Sequence, residues 1–283
     1  MRIWQVDLYR RPLKNEQGQP LWELLVCDAS DRPSFSKKMS LFYDFCPQSE
    51  VNSSWAIAKL KQADNGKLPD IIQVFRPQSL SLLSTAAESL GIPLETTRRT
   101  FQLKRSLLQR AKEYPLDPRY TQENYDPVAI DKPPPLPLPE NLWGEQWRFA
   151  TVQAGDLIDT FRDFPIPIKE MPDFLTPIQL GLASTVAVPG IVIYGGRQSM
   201  QLARWLQEIR PVAISYIPGQ PDGLILEAGL CDRWVIATFE DAEMAAAAQT
   251  YQHRKQPIKG LHFLLVQPDD SGMTYSGFWL LQD

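Results

Sequence analysis

Alternation of apolar and polar residues dominates the start of the chain. Three runs in quick succession carry this pattern: RIWQVDLYR, PLWELLVCD and MSLFYDFCP. A period of two is typical of strands with one buried face, and the polar, glycine-containing PLKNEQGQ between the first two runs is typical of a hairpin loop. The pattern therefore predicts an antiparallel sheet.

Helical periodicity replaces this alternation further along. Two helices are predicted on either side of a short apolar strand, DIIQVF. The first is SSWAIAKLKQ, with serine at its expected N-cap, and the second is SLLSTAAESLG, which stops at Gly91. A third helix is predicted near 98–113. The resulting order, β-β-β-α-β-α, is that of the ribonuclease H fold.

Prolines divide the chain into two halves. Many of the 25 prolines crowd into DPVAIDKPPPLPLPENLWG, a composition that favours an extended connector over a helix or a central strand. We predict an N-terminal domain over 1–114, a proline-rich linker over 115–142 and a C-terminal domain over 143–283. Strands and amphipathic helices return beyond the linker, up to a final hairpin. Both domains are therefore predicted to be α+β with mixed sheets.

Composition and charge narrow the functional classes. The chain has 29 Lys+Arg against 33 Asp+Glu, a net charge of −4, so any nucleic-acid site must be local. Cys27, Cys46 and Cys231 show no paired spacing and are expected to be free thiols in a reducing compartment. Only two histidines are present, which leaves little material for zinc sites. Without a signal segment or an apolar run of about 18 residues, a cytoplasmic protein with no transmembrane segment is expected.

Carboxylates on the predicted sheet raise the alternative of a nuclease. Asp7, Glu23 and Asp44 lie within the first three strands, and in the ribonuclease H fold carboxylates hold two metal ions that activate phosphate attack. The helix SSWAIAKLKQ contains no acid, however, and Asp70 only begins its strand. We expect an incomplete metal site, and whether the three acids share one site stays open.

A glycine turn in the second half is a candidate anion site. YGGRQS joins a strand to a helix, with Arg197 in the first turn, and free amides at a helix N-terminus suit a phosphate. Ordinary β-α turns have the same appearance, and neither a complete G-x-G-x-x-G nor a P-loop lysine is present.

A basic segment, TTRRTFQLKRSLLQR, is the strongest candidate for a polyanion surface. On a helical projection Phe101, Leu103, Leu107, Leu108 and Ala111 form one apolar arc that is predicted to pack inward. Lys104 points into this arc and is expected to snorkel, and Arg98, Arg105 and Lys112 form an outward stripe. The remaining arginines expected at this surface are Arg99 and Arg110 at its border and Arg10 and Arg11 at the end of the first strand. An ordinary solvated helix face is the alternative, although such faces usually mix charge signs.

Tryptophans offer a weaker signal. Trp143, Trp147 and Trp279 could stack on bases if exposed, but buried anchors are the simpler interpretation. For Trp279 the apolar neighbours on both sides predict a strand buried on both faces.

Four runs are informative together: FRPQSLSLLSTAAESLGIPLETTRRTFQLKRSLLQR, PLPENLWGEQWRFA, GLHFLLVQP and GFWLLQD. They resemble the Tab2/Atab2 family of cyanobacterial and chloroplast proteins. The opening WQVDLYRRP and PLWELLVCD are similar to the start of that family, so the resemblance covers essentially the whole chain. The family's Arg-Arg-Thr and leucine-rich basic helix fall on Arg98, Arg99, Thr100, Leu103 and Arg110.

The resemblance implies an RNA-binding protein that contacts the 5′ untranslated region of photosystem messages and supports their translation and photosystem assembly. Unstacked bases of an A/U-rich leader would supply specificity, and partners would include RNA and, in addition, translation machinery or photosystem subunits. It brings no catalytic residue, metal or cofactor, so a non-enzyme is expected. Two alternatives stay open: a metal-dependent nuclease on the ribonuclease H-like domain, and a protein-binding photosystem assembly factor without direct RNA contact.

Overall fold

The structure is a computed structural model that describes residues 1–30 and 41–283. The chain divides into two compact units, Met1–Asp131 and Lys132–Asp283. Each unit combines helices with mixed sheets, which confirms the predicted α+β class. In the part of the chain that is described, no helix combines the length and apolar character needed to cross a membrane.

The N-terminal unit is built on one five-stranded sheet. Its strands are β1 (Ile3–Lys14), β2 (Pro20–Asp28), β3 (Phe42–Pro47), β4 (Ile71–Val74) and β5 (Leu94–Thr96). They lie in the order β3-β2-β1-β4-β5, with β1, β2 and β3 antiparallel and β4 and β5 parallel to β1. This is the strand arrangement of the ribonuclease H fold. β5, a strand of three residues, was not predicted from the sequence. Met39 and Ser40 of the third predicted run lie outside the described residues.

Three helices cover this sheet. They are α1 (Ser53–Gln62), α2 (Pro77–Leu90) and α3 (Phe101–Glu113). The N-cap of α1 is Asn52, whose side chain accepts the Trp55 amide, rather than the predicted serine. As predicted, α2 ends at Gly91, which takes the left-handed φ of 68° that glycine adopts without strain.

The alternation along β1 decides which helices lie on which face. Trp4, Val6 and Leu8 pack into one core cluster with residues of α1 and α2. Residues of the other face, such as Leu25 of β2, pack against Leu103 and Leu107 of α3. The odd-numbered positions of β1 therefore lie under α3, and this is where the polar residues of the strand are buried.

The C-terminal unit contains two sheets. Its strands are β6 (Leu136–Pro137), β7 (Gln146–Gln153), β8 (Ile168–Glu170), β9 (Ala187–Tyr194), β10 (Pro211–Ile217), β11 (Asp222–Ala228), β12 (Asp232–Phe239), β13 (Leu261–Gln267) and β14 (Gly277–Gln282). One sheet has the order β10-β11-β12-β6, and the other has the order β7-β9-β13-β14-β8. The predicted final hairpin is confirmed, because β13 and β14 pair antiparallel.

Helices α4 (Ala154–Phe161), α5 (Ser199–Ile209) and α6 (Ala242–Lys255) complete the C-terminal unit. Asp241 caps α6 by accepting the Met244 amide. Trp279 is 1% exposed, as expected for a strand buried on both faces, whereas Trp143 is 61% exposed. The tryptophans therefore have different environments, and only Trp143 among the three presents most of its ring to solvent.

The proline-rich stretch contributes contacts to both units. Val128 and Ile130 pack on the core cluster under α3, and Arg76 donates to the carbonyl of Pro127 at 2.8 Å. Further along, Leu136 and Pro137 form β6, which pairs parallel with β12. The two ends of the stretch therefore belong to different units.

Candidate nucleic-acid interface

A buried ion cluster occupies the face of the N-terminal sheet that lies under α3. At its centre is Asp7 of β1, which is fully buried. Arg11 Nη2 lies 3.0 Å from one carboxylate oxygen, and Arg76 Nε lies 3.0 Å from the other. Ser79 adds a hydroxyl 3.3 Å from Asp7. Both oxygens of this acid are therefore held by guanidinium groups, which is what a buried charge requires.

Glu23 of β2 extends the cluster. Its carboxylate accepts from Arg11 Nε at 2.7 Å and from the Tyr114 hydroxyl at 2.8 Å, and it pairs with Arg110 of α3. Although burial acts to lower it, the charges of Asp7 and Glu23 raise the pKa of Arg11 well above its ordinary value. Burial raises the pKa of the Tyr114 hydroxyl. The cluster is therefore fully charged at Arg11 and neutral at Tyr114 across the physiological pH range.

The three acids predicted on the sheet do not share one site. Asp7 and Glu23 are joined through Arg11. Asp44 lies in β3 opposite Leu24, on the other face of the sheet, and pairs with Lys59 of α1 at 2.6 Å. Asp70 accepts the backbone amide of Arg2 at 2.6 Å. Within residues 1–30 and 41–283, no three His, Cys, Asp or Glu side chains are grouped so that they could hold a metal ion.

The cluster corrects the assignment of two of the six arginines. Arg11 is 1% exposed and Arg110 is 9% exposed, because both lie against Glu23. The guanidinium of Arg110 also lies 3.8 Å from the centre of the Tyr43 ring. Arg11 and Arg110 are structural residues in this arrangement and are not available to a polyanion. Arg76 was not among the predicted site residues. The signal that could have indicated it is a charged residue directly after the apolar strand β4, which lies beside β1.

Helix α3 presents a stripe of alternating apolar and basic side chains to solvent. It consists of Phe101, Arg105, Leu108 and Lys112, at spacings that place them on one side of a helix, and we call it the α3 stripe. Phe101 is 49% exposed and Leu108 is 51% exposed. Arg105, Leu108 and Lys112 line a shallow surface depression together with Gln109 and Glu113.

The prediction that Phe101 and Leu108 pack inward is therefore wrong. The buried positions of α3 are Leu103, Ser106, Leu107 and Arg110. This face is rotated by roughly a quarter turn from the apolar arc, because Arg110 must face Glu23. The buried ion cluster thus sets the rotation of α3, and the rotation exposes two large apolar residues between basic ones.

Just before α3 the chain carries half-buried arginines. Arg98 and Arg99 are in this class, and the Arg99 carbonyl accepts from Gln5 Nε2 at 3.4 Å. Lys104 Nζ lies 5.5 Å from the centre of the Phe75 ring. Burial lowers the pKa of Lys104 to about 8, and the charge of Arg98 acts in the same direction. The Lys104 amine therefore lies partly buried against an apolar ring, whereas the predicted snorkelling would carry it into water.

Arg10 is the exposed neighbour of Arg11 on the same strand. Its side chain is 54% exposed and lies 3.6 Å from Glu123, a separation typical of a weak surface ion pair. Arg10 is thus accessible to a ligand, in contrast to Arg11, and the two adjacent arginines have opposite environments.

Backbone hydrogen bonds contradict the prediction of an anion site at Arg197. Arg197 is exposed, but the amides of Gly195 and Gly196 donate to the carbonyls of Gln267 and Pro268 at 2.9 and 3.0 Å. The carboxylate of Glu145 lies against Gly196 and leaves no room for a Cβ there. The turn therefore holds the strand ends together, and its amides and charges do not suit a phosphate.

These features define a class of protein. It has a ribonuclease H-like sheet whose central carboxylate is held by arginines, and a second α+β unit follows. Its helix surface of aromatic and basic side chains is typical of nucleic-acid binding. Residues 3–110 match the family model described as RNA-binding protein Tab2/Atab2 N terminal, and residues 125–282 match the model of the C-terminal domain. The chain belongs to the Tab2/Atab2 family of RNA-binding proteins.

Known proteins similar to this chain include two plant members of the family. The chain is 28% identical to "Protein TAB2 homolog, chloroplastic" of Zea mays, covering 100% of this chain and 72% of the relative. It is 29% identical to the Arabidopsis thaliana protein of the same name, covering 100% of this chain and 75% of the relative. Among solved structures, the HTLV-2 integrase catalytic core domain with magnesium covers 41% of this chain and 75% of its own, at 19% identity and a TM-score of 0.25. A similarity this low carries no argument about activity.

Proposed function

We propose that the protein binds single-stranded RNA through the α3 stripe of its N-terminal unit. The observation that carries this proposal is the alternation of exposed Phe101 and Leu108 with the basic Arg105 and Lys112 on one helix face. Membership of a family of RNA-binding proteins supports it. Single exposed apolar residues are ordinary on a protein surface, so the support comes from their alternation with two cations on one helix face.

The chemistry of the stripe suits unstacked bases. Proteins that bind single strands combine cationic side chains along the phosphate backbone with aromatic rings on which bases stack. In this assignment Phe101 supplies the ring, and Arg105 and Lys112 contact two phosphates along the strand. Arg98 and Arg99 lie just before the first residue of α3 and Arg10 lies on β1, so they are secondary candidates for phosphate contacts.

Replacement of the exposed phenylalanine tests the stacking contact. Phe101→Ala should weaken binding to a fluorescein-labelled, U-rich single strand by roughly 5- to 150-fold, the range that corresponds to about 1–3 kcal/mol per stacked base. Phe174→Ala is the matched control, because Phe174 is also an exposed phenylalanine, 41% exposed, but belongs to the C-terminal unit. Equal affinities of the two variants in fluorescence anisotropy would remove Phe101 from the interface.

We further propose that RNA is bound without being cleaved. Support comes from Asp7, where Arg11 and Arg76 hold both carboxylate oxygens at the position where a nuclease of this fold needs a metal ion. Labelled RNA incubated with the protein and millimolar Mg²⁺ or Mn²⁺ should stay intact on a denaturing gel. Time-dependent shortening that disappears in Asp7→Asn would establish the nuclease alternative instead.

The RNA that we propose is the A/U-rich 5′ leader of photosystem messages, and the role is support of their translation and of photosystem assembly. This step rests on the family and on the chloroplast relatives, and a cytoplasmic site of action stays a prediction. A UV-crosslinked pull-down with RNA sequencing should enrich photosystem leaders. Duplicate samples treated with RNase distinguish the assembly-factor alternative, in which photosystem or ribosomal proteins are retained without RNA.

A further inference from the structure

A cavity of about 480 Å³ lies within the C-terminal unit. Its walls come from both sheets of that unit: β7 and β9 on one side, and β6, β11 and β12 on the other. It reaches the core, because Leu142, Ile191 and Leu202 line it and each is less than 5% exposed. A cavity of this size is in the range of small-molecule sites and is much larger than an ordinary packing defect.

The chemistry of the walls is apolar and aromatic. Most of the lining residues are aliphatic, with the indoles of Trp143 and Trp147 among them. Gln146 and Thr238 are the polar side chains on the described lining, and none of the lining residues described carries a charge. An ionised ligand would lose its hydration without a partner in such a site, so the walls select a neutral, carbon-rich molecule.

Two close contacts fix the chain where Trp143 and Gly144 line the cavity. Trp143 is 61% exposed, yet its indole Nε1 donates to the Leu138 carbonyl at 2.8 Å, which fixes the ring at the rim. At Gly144 the chain passes so close to Ile193 that an added Cβ would lie 2.6 Å from its Cγ2. An exposed but oriented indole beside an apolar cavity is suited to cover a ring that enters it.

We propose that this cavity is a binding site for a neutral, ring-containing apolar small molecule. An engineered apolar cavity of about 150 Å³ accommodates one benzene ring, so the present volume suits a molecule of roughly two to three rings. Trp147 forms one wall, where its ring also packs against Phe239 at 5.7 Å between centroids, and Trp143 covers the entering ring at the rim. This site is independent of the α3 stripe and of RNA binding.

The test uses N-phenyl-1-naphthylamine, a neutral three-ring fluorophore whose emission rises in apolar surroundings. Titration into the full chain should give saturable binding of one molecule per chain, with quenching of tryptophan emission by energy transfer. Ala237→Phe, which places a ring in the cavity from β12, should weaken this binding at least about tenfold. Ala246→Phe, the same substitution on an exposed position of α6, should leave binding unchanged.

A second variant keeps the proposal testable if Ala237→Phe does not fold. Trp143→Ala removes an exposed ring and should weaken the probe by about 2- to 12-fold, the equivalent of about 0.5–1.5 kcal/mol for one aromatic contact. The anionic analogue 8-anilinonaphthalene-1-sulfonate should bind at least about tenfold more weakly than the neutral probe, because no cation lines the described walls. Non-saturable binding, equal affinity of the two probes, or affinity unchanged in both cavity variants would overturn the proposal.

Discussion

Adjacent arginines on β1 provide a test of how the N-terminal unit is stabilised. Arg11 is fully buried and contacts Asp7 and Glu23 at 3.0 and 2.7 Å, whereas the side chain of Arg10 is 54% exposed. Arg11→Met removes one partner from two buried carboxylates and fills part of the volume. Breaking a buried ion pair in this way costs about 3–5 kcal/mol, because the remaining charge stays buried.

The control is the same substitution one residue earlier. Arg10→Met removes only a surface contact with Glu123 at 3.6 Å, and exposed ion pairs contribute about 0–1 kcal/mol. Because the chain has two units, hydrogen exchange followed by mass spectrometry is a better measurement than a single melting curve. It reports the unfolding free energy of each unit separately.

In Arg11→Met, protection of the β1 and β2 amides should fall by roughly two to four decades, at about 1.4 kcal/mol per tenfold change. Protection of β9 and β13 in the other unit should not change. Arg10→Met should stay within about fivefold of the unsubstituted protein in both units. If Arg11→Met retained protection within tenfold, the cluster would not stabilise the sheet and the reasoning would be refuted.

Three further predictions concern thiols and titrating groups. A thiol reagent should label Cys231 and spare Cys27 and Cys46 in the folded protein. The latter two are buried, and burial raises their pKa to about 12 and about 11, respectively. Labelling of all three thiols would contradict this. Burial, aided by the charge of Lys255, lowers the pKa of His262 to about 3. The C-terminal unit should therefore lose stability as pH falls from about 6.5 towards 3, because the unfolded chain binds this proton first. The NMR signal of the His262 ring should not move between about pH 8 and 4.5. With the pKa of Lys104 near 8, the folded state loses this proton at a lower pH than the unfolded chain does. The unfolding free energy, measured by denaturant titration and compared with that of Lys104→Met, should therefore rise between about pH 8 and 10.5. A difference that does not change with pH would contradict this.

The architecture could be predicted because its signals are local. Period two along β1, helical periodicity in α2 and a glycine at the end of α2 depend on neighbours in sequence. β5 was missed because three residues carry too little pattern, and its pairing with β4 is a tertiary contact. The Asn52 cap competed with two following serines that have similar capping preference.

The candidate interface could be predicted only in part. The sequence indicated that the basic helix matters, but the rotation of α3 depends on Glu23, which lies 87 residues before Arg110 in the sequence. A helical projection treats an arginine as a polar, outward residue, and here a buried carboxylate reverses that assignment. For the same reason Phe101 and Leu108 were placed inside, although both are exposed.

The salt dependence of RNA binding tests the central claim most directly. Arg105→Gln with Lys112→Gln removes two charges from the α3 stripe, and Lys61→Gln with Lys67→Gln removes two exposed charges of the same unit outside it. Each phosphate contact on a single strand contributes roughly 0.7 to the slope of log affinity against log salt. If RNA binds through the α3 stripe, the stripe variant should lower this slope by roughly 1.4 and the control variant should leave it unchanged. Equal slopes for the two variants would contradict RNA binding through α3.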